Sequence, residues 1–343
     1  MKAVIALCLS LIFSTNQAFA HHSFAASFTD EEIQTEGVVL NYVFRNPHVI
    51  IYLNVTDDSG DEERWMVEGG AATGLRERGW SRDTIQRGEY LRVSGRAGRD
   101  GRPMIQMGTV EVLDRETGVV LRTPETGRGF YGPGRGGGAV ASIPLTLADG
   151  RPNLTGAWVQ GRGGPGFRNH APPPFNEAGA ALQSEYDPAN DPQVACEEPG
   201  LIRQAGFTPH PVRITQNDDH VIIEYEEYGG RRVIYFDDRD IGDGNEELTR
   251  LGRSRARYDG ATLVIESSRM PSNPTGTGGN WLTDQTTTVE TFRRDDDPEQ
   301  GSMLAMEMII EDPGYLTDVW VMNWKKLYKE DYEFIPVECH KPI

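Results

Sequence analysis

Two stretches of alternating hydrophobic and polar positions, separated by a segment with no alternation, organise this chain. In the first, residues 33–113, short runs rich in β-branched and aromatic residues recur: IQTEGVVLNYVF, HVIIYLNVT, RWMVEG, EYLRVSGRAG and PMIQMGTVEVL. Each is bounded by Gly, Asp or Pro, the usual punctuation of strands. Between the third and fourth lies AATGLRERGW, the one helix-compatible stretch here. Three strands, a short helix and two strands is the order of a small OB-like barrel. Closure of the sheet on itself explains how so few residues bury a core.

The segment without alternation, TPETGRGFYGPGRGGGAVAS over 123–142, is too rich in Gly and Pro to pack and reads as a flexible linker. We therefore divide the chain into an OB-like domain over 21–120, a linker over 121–150 and a second domain over 151–343. In the second domain NLTGAWVQ predicts a first strand, and HAPPPF leads into NEAGAALQSEY, a short helix with Asn176 as its cap. The remainder alternates with period two, as in VIIEYEEY and RRVIYF, with Gly229-Gly230 as a hairpin turn. Many strands at regular spacing predict an antiparallel barrel or sandwich. Gly156-x-Trp158 in the first strand, with a basic residue near the last, resembles lipocalin-like barrels. The expected fold class is mainly β: an OB-like small barrel followed by an antiparallel lipocalin-like β-barrel.

Residues 1–20 do not belong to that pattern. Lys2, the apolar run AVIALCLSLIF and Ala18-Phe19-Ala20 read as a signal peptide cleaved after Ala20. The apolar run is too short to span a bilayer, and no later segment approaches that length. The expectation is a soluble exported protein, periplasmic in a Gram-negative host, with no membrane insertion of the mature chain. The formal net charge of −18 argues against nucleic acid as a partner, because that needs clustered positive charge. Cleavage removes Cys8 and leaves Cys196 and Cys339, which are expected to pair in an oxidising compartment. The bridge would close a loop of roughly 143 residues, an upper figure of roughly 4–5 kcal/mol in chain entropy.

Cleavage also changes the chemistry of His21. As the new N-terminus, its α-amine and imidazole Nδ1 can chelate one metal ion, and the amine pKa is low enough to deprotonate under a metal. A further imidazole completes the T-shaped three-nitrogen set that copper favours. His48, expected at the start of a strand in NPHV, is the natural third nitrogen, with His22 as a reserve ligand. Other motifs fail their templates. DDRDIGDGNEE, 237–247, puts Gly242 at the fifth place of a calcium loop and Thr249 where the bidentate Glu belongs, so it reads as a solvated hairpin loop. GRSRA, 252–256, lacks the helix that must follow a nucleophile elbow. No residue is singled out as catalytic. In the second domain Trp158, Tyr225, Tyr235 and Trp320, with Trp281 and Trp324, are candidates to line a pocket for a small hydrophobic molecule.

HHSFAASF at the mature start, NPHVIIYLNV, EGGAATGLRERGW and SGRAGRDGRP together resemble an uncharacterised family of exported bacterial proteins, a domain of unknown function, over residues 21–115. LTGAW, DPQVACEEPG, RRVIYFDDR, YDGATLVIES and VETFRR resemble a second family of hypothetical bacterial proteins. Its recurrent Gly-His-Ser segment reads Gly252-Arg253-Ser254 here, so no histidine role carries over. The reading is an exported binding protein with copper at the mature N-terminus and a small apolar ligand in the second barrel. The alternative is a periplasmic enzyme, either a copper-dependent oxidase or a cofactor-free lyase or isomerase.

Overall fold

The fold is that of a computed structural model, which describes residues 27–57, 59–126, 142–160, 168–187, 190–207, 210–241, 247–275 and 279–341. The first alternating stretch forms β1 (Phe28–Val43), β2 (Ile50–Thr56), β3 (Glu62–Glu68), a short helix (Ala72–Arg76), β4 (Tyr90–Gly98), β5 (Met104–Leu113) and the short β6 (Val120–Arg122). The strands pair in the order β3-β2-β1-β4-β5, and β3 returns to β5 in parallel through Met66–Glu68 against Met104–Gln106. Five strands thus close on themselves, the order anticipated for an OB-like barrel. Val39, Ile51, Leu53, Val67, Leu91 and Ile105 fill the interior. The β4–β5 register slips at Ser94/Gly95, where a Cβ on Gly95 would lie 1.7 Å from the Gln106 carbonyl oxygen. Glycine is required there by close backbone approach.

The second stretch forms β7 (Gly156–Gln160), β8 (Arg168–His170), a helix (Glu177–Ser184), β9 (Val212–Gln216), β10 (His220–Tyr225), β11 (Arg231–Tyr235), β12 (Arg253–Asp259) and β13 (Thr262–Ser268). A separate small hairpin, β14 (Asn273–Thr275) and β15 (Asn280–Leu282), precedes β16 (Thr287–Arg294), β17 (Met303–Glu311) and β18 (Trp320–Tyr328). Asn176 caps the helix as expected, its side chain accepting from the Gly179 amide. The ring β17-β16-β13-β12-β11-β10-β9-β7-β18 closes through β17–β18, a nine-stranded barrel. Strand β8 continues the edge begun by β7, the two pairing with successive parts of β18.

An odd number of strands cannot close with every neighbour antiparallel. Each barrel therefore carries one parallel seam, β3–β5 in the first and β11–β12 in the second. The second seam is the weaker, with Tyr235 opposite Arg255 as its one recorded register pair. The second barrel is antiparallel at every other neighbour, and the acidic 237–247 segment, expected as a hairpin loop, instead connects two parallel strands. The turn Arg203–Phe207 packs into the core with buried Leu201, Ile202 and Ala205. Trp324 Nε1 donates to the Ala205 carbonyl at 2.7 Å. Trp158 packs edge-on against Tyr328, with the Arg294 guanidinium 5.6 Å from the Trp158 ring. The basic residue that meets the Gly-x-Trp motif thus comes from β16.

After β18 the chain leaves its own barrel and runs along the first one. Ile335 joins the core of the first barrel. Asn46 forms a parallel bridge with Val337: its amide donates to the Pro336 carbonyl at 3.2 Å and its carbonyl accepts from the Glu338 amide at 2.7 Å. Cys339 is disulfide-bonded to Cys196, as the cysteine count led us to expect. Where the three parts meet, the fully buried Glu226 carboxylate accepts from Thr73 Oγ1 (3.0 Å), Tyr332 Oη (2.9 Å) and the Ile335 amide (2.7 Å), with Arg76 at 3.7 Å. Burial and then the Glu226 charge hold the Tyr332 hydroxyl well above its ordinary pKa, so it stays a donor.

Candidate functional site at the domain junction

His48 lies between the cis Asn46–Pro47 bond and β2, two residues before the strand rather than at its first position. It sits on the floor of a small cleft walled by Ser27, Glu68, Gln193, Val194, Glu338 and His340. The first barrel, the second domain and the C-terminal tail each supply part of that wall. The cleft volume of about 30 Å³ suits a water molecule or a single ion, not an organic ligand.

Chemistry-bearing side chains converge on it. His48 Nδ1 is in close contact with the Glu68 carboxylate, itself buried at 4% exposure on the last residue of β3. Burial alone would depress the His48 pKa. The Glu68 charge and hydrogen bond, with Glu227 further off, outweigh it and hold the pKa above the ordinary imidazole value. From the tail, His340 Nδ1 shares a 3.1 Å hydrogen bond with Tyr52 Oη, and its Nε2 lies 3.2 Å from Glu338. Two imidazoles, each backed by a carboxylate, therefore border one cleft. Among the described residues no three His, Cys, Asp or Glu form a metal-binding cluster. His21 and His22 lie outside the described residues, while Ser27, six positions after His21, is on the cleft wall.

The second barrel disposes of its aromatics differently. Trp158, Tyr225 and Trp320 are buried in its core, and Trp158 Nε1 is spent on the Leu154 carbonyl at 2.8 Å. Tyr235 lies on the opposite face of β11 from buried Ile234, with the Arg239 guanidinium 4.4 Å from its ring. Polar groups gather beneath the parallel seam. Arg232, 5% exposed, donates through Nη1 to Glu290 (2.6 Å) and Tyr225 Oη (3.1 Å), and through Nη2 to Ser254 (3.0 Å) and Ser267 (2.9 Å). Desolvation would lower the Arg232 pKa, but Glu290 and Tyr225 more than reverse it, and it stays charged. Arg232 Nε, Glu290 Oε1, Thr288 Oγ1 and Gln204 Oε1 are buried without a partner among the described residues. Each such group costs about 1–3 kcal/mol, which demands an explanation.

Sequence reading missed Glu68, His340, Glu226 and Arg232. His340 had one usable signal, its place beside Cys339: a disulfide that pins the tail also fixes its neighbour. Glu68 closes a strand already identified, but nothing in RWMVEG says that it turns toward His48.

Fold and junction define a two-barrel β protein whose most chemically equipped cleft lies between its parts. Residues 9–107 match the family of unknown function DUF6152, a stretch that includes HHSF and NPHV. No curated protein matches the chain. Among the described residues no helix is long and apolar enough to cross a membrane.

Proposed function

We propose that the chain is an exported copper-binding protein whose site lies at the junction cleft. The signal peptide directs it to the periplasm, and cleavage after Ala20 creates the chelating N-terminus at His21. His48, whose ring is in contact with Glu68, supplies the third nitrogen. The observation that carries this reading is that Ser27 and His48 wall the same cleft. Six residues span at most about 20 Å, so the His21 amine is within reach of His48. The Glu68 carboxylate holds the ring by Nδ1, a contact that orients a ligating imidazole and raises its basicity. His340 lines the same cleft and would offer the ion a further imidazole nearby.

Copper titration of the correctly processed chain tests this. One equivalent of Cu(II) is expected, with an electron paramagnetic resonance spectrum showing coupling to several nitrogens. His48→Ala and, separately, an added N-terminal glycine should each weaken binding about a hundredfold or more, roughly 2.7 kcal/mol. Affinity that survives both changes sinks the proposal.

A further inference from the structure

We propose that the parallel seam of the second barrel is a binding site for a small carboxylate-bearing molecule. Between β11 and the approach to β12 the strands part, and the gap opens into a cleft of about 260 Å³. That is close to the lower end of ligand-sized pockets, roughly 300 Å³, and fits a short mono- or dicarboxylate. Arg231, Arg232, Arg250 and Arg253 line the cleft against Glu198 and Asp240. Glu197, Glu198, Asp240 and Glu290 balance these four charges, so the cleft offers a small anion a concentration of guanidinium N–H donors rather than a net positive field.

The donors in this cleft are positioned in advance. A guanidinium carries five N–H groups. Arg250 Nη1 is steadied by the Glu198 carbonyl at 3.1 Å and its Nη2 by Glu197. Arg253 is steadied by the Glu247 carbonyl at 3.0 Å and by Asp240 at 3.3 Å. Each keeps further N–H groups for a ligand. Arg232 forms the buried inner wall: its Nη atoms are spent on Glu290, Tyr225, Ser254 and Ser267, and Nε has no partner among the described residues. Arg232 thus backs the cleft as a buried, charged, rigidly held guanidinium, and Arg250 and Arg253 supply the N–H groups for a ligand. The planar fork of a guanidinium pairs with a planar carboxylate through two parallel hydrogen bonds, which makes a carboxylate the better match than tetrahedral phosphate.

Isothermal titration of the full chain with succinate, benzoate and inorganic phosphate tests the site. Saturable binding of at least one carboxylate is expected, with phosphate weaker. The Arg250→Gln/Arg253→Gln double variant, checked for native circular dichroism, should weaken carboxylate binding about tenfold or more, and exposed Arg231→Gln by less. Because the two clefts share no lining residue, the double variant should bind copper as the parent does. Absence of saturable carboxylate binding, binding unchanged in the double variant, or phosphate as the tighter ligand overturns the inference.

Discussion

Among the described residues the Glu68 carboxylate is in contact with His48 Nδ1, at the end of a strand whose other buried residues are Met66 and Val67. A buried carboxylate in such surroundings carries a desolvation penalty that only a specific partner offsets. That cost is more readily understood if the imidazole must be held in one tautomer and one orientation. We therefore expect Glu68→Gln to keep the hydrogen bond but lose the charge, weakening Cu(II) by about ten- to a hundredfold. Thermal stability should move little, because the shape of the site is conserved. A copper affinity equal to the parent's would reduce Glu68 to a packing residue. His48 was legible as a candidate because it stands out in NPHV; its carboxylate was not, since the sequence is crowded with Asp and Glu.

At the scale of the element, strands with clean alternation were legible and the joints between them were not. VIIEYEEY, RRVIYF and EYLRVSGRAG mark β10, β11 and β4 because one face of each is buried and the other wet. The three-residue β8 and the Arg203–Phe207 turn have too few residues to show any period. The seam at β11–β12 is a topological consequence of odd strand number, which no local pattern encodes. Where ladder hydrogen bonds are few, side chains take over: Arg232 ties β11 to Tyr225 on β10, Ser254 on β12, Ser267 on β13 and Glu290 on β16. Removing one partner of such a buried pair leaves an uncompensated charge, whereas removing both does not. Arg232→Met should cost about 3–5 kcal/mol in chemical denaturation, and the Arg232→Met/Glu290→Met double variant should recover most of it. Additive losses in the double variant would contradict this account of the seam.

For the whole molecule, the C-terminal tail carries the coupling. It places Ile335 in the core of the first barrel, meets Asn46 beside His48, and brings Tyr332 and the Ile335 amide to Glu226. DYEFIPVECHKPI has no period to betray this, and the tail's one durable sequence signal is Cys339. The bridge to Cys196 closes a loop of 143 residues, which limits the unfolded chain by an amount of roughly 4–5 kcal/mol in the entropic account. For a molecule of this size that corresponds to a fall in melting temperature on the order of 10 °C when the bridge is lost. The Glu226 hub does not depend on the disulfide. Its hydrogen bonds from Thr73, Tyr332 and Ile335 still hold tail, helix and second barrel together after reduction. Cys196→Ser/Cys339→Ser should therefore lower the melting temperature in scanning calorimetry while leaving a single cooperative transition. Two resolved transitions would mean that the bridge alone keeps the tail docked, and an unchanged melting temperature that the bridge contributes nothing to stability. Either result would also bear on the junction cleft, because His340 reaches it only while the tail is in place.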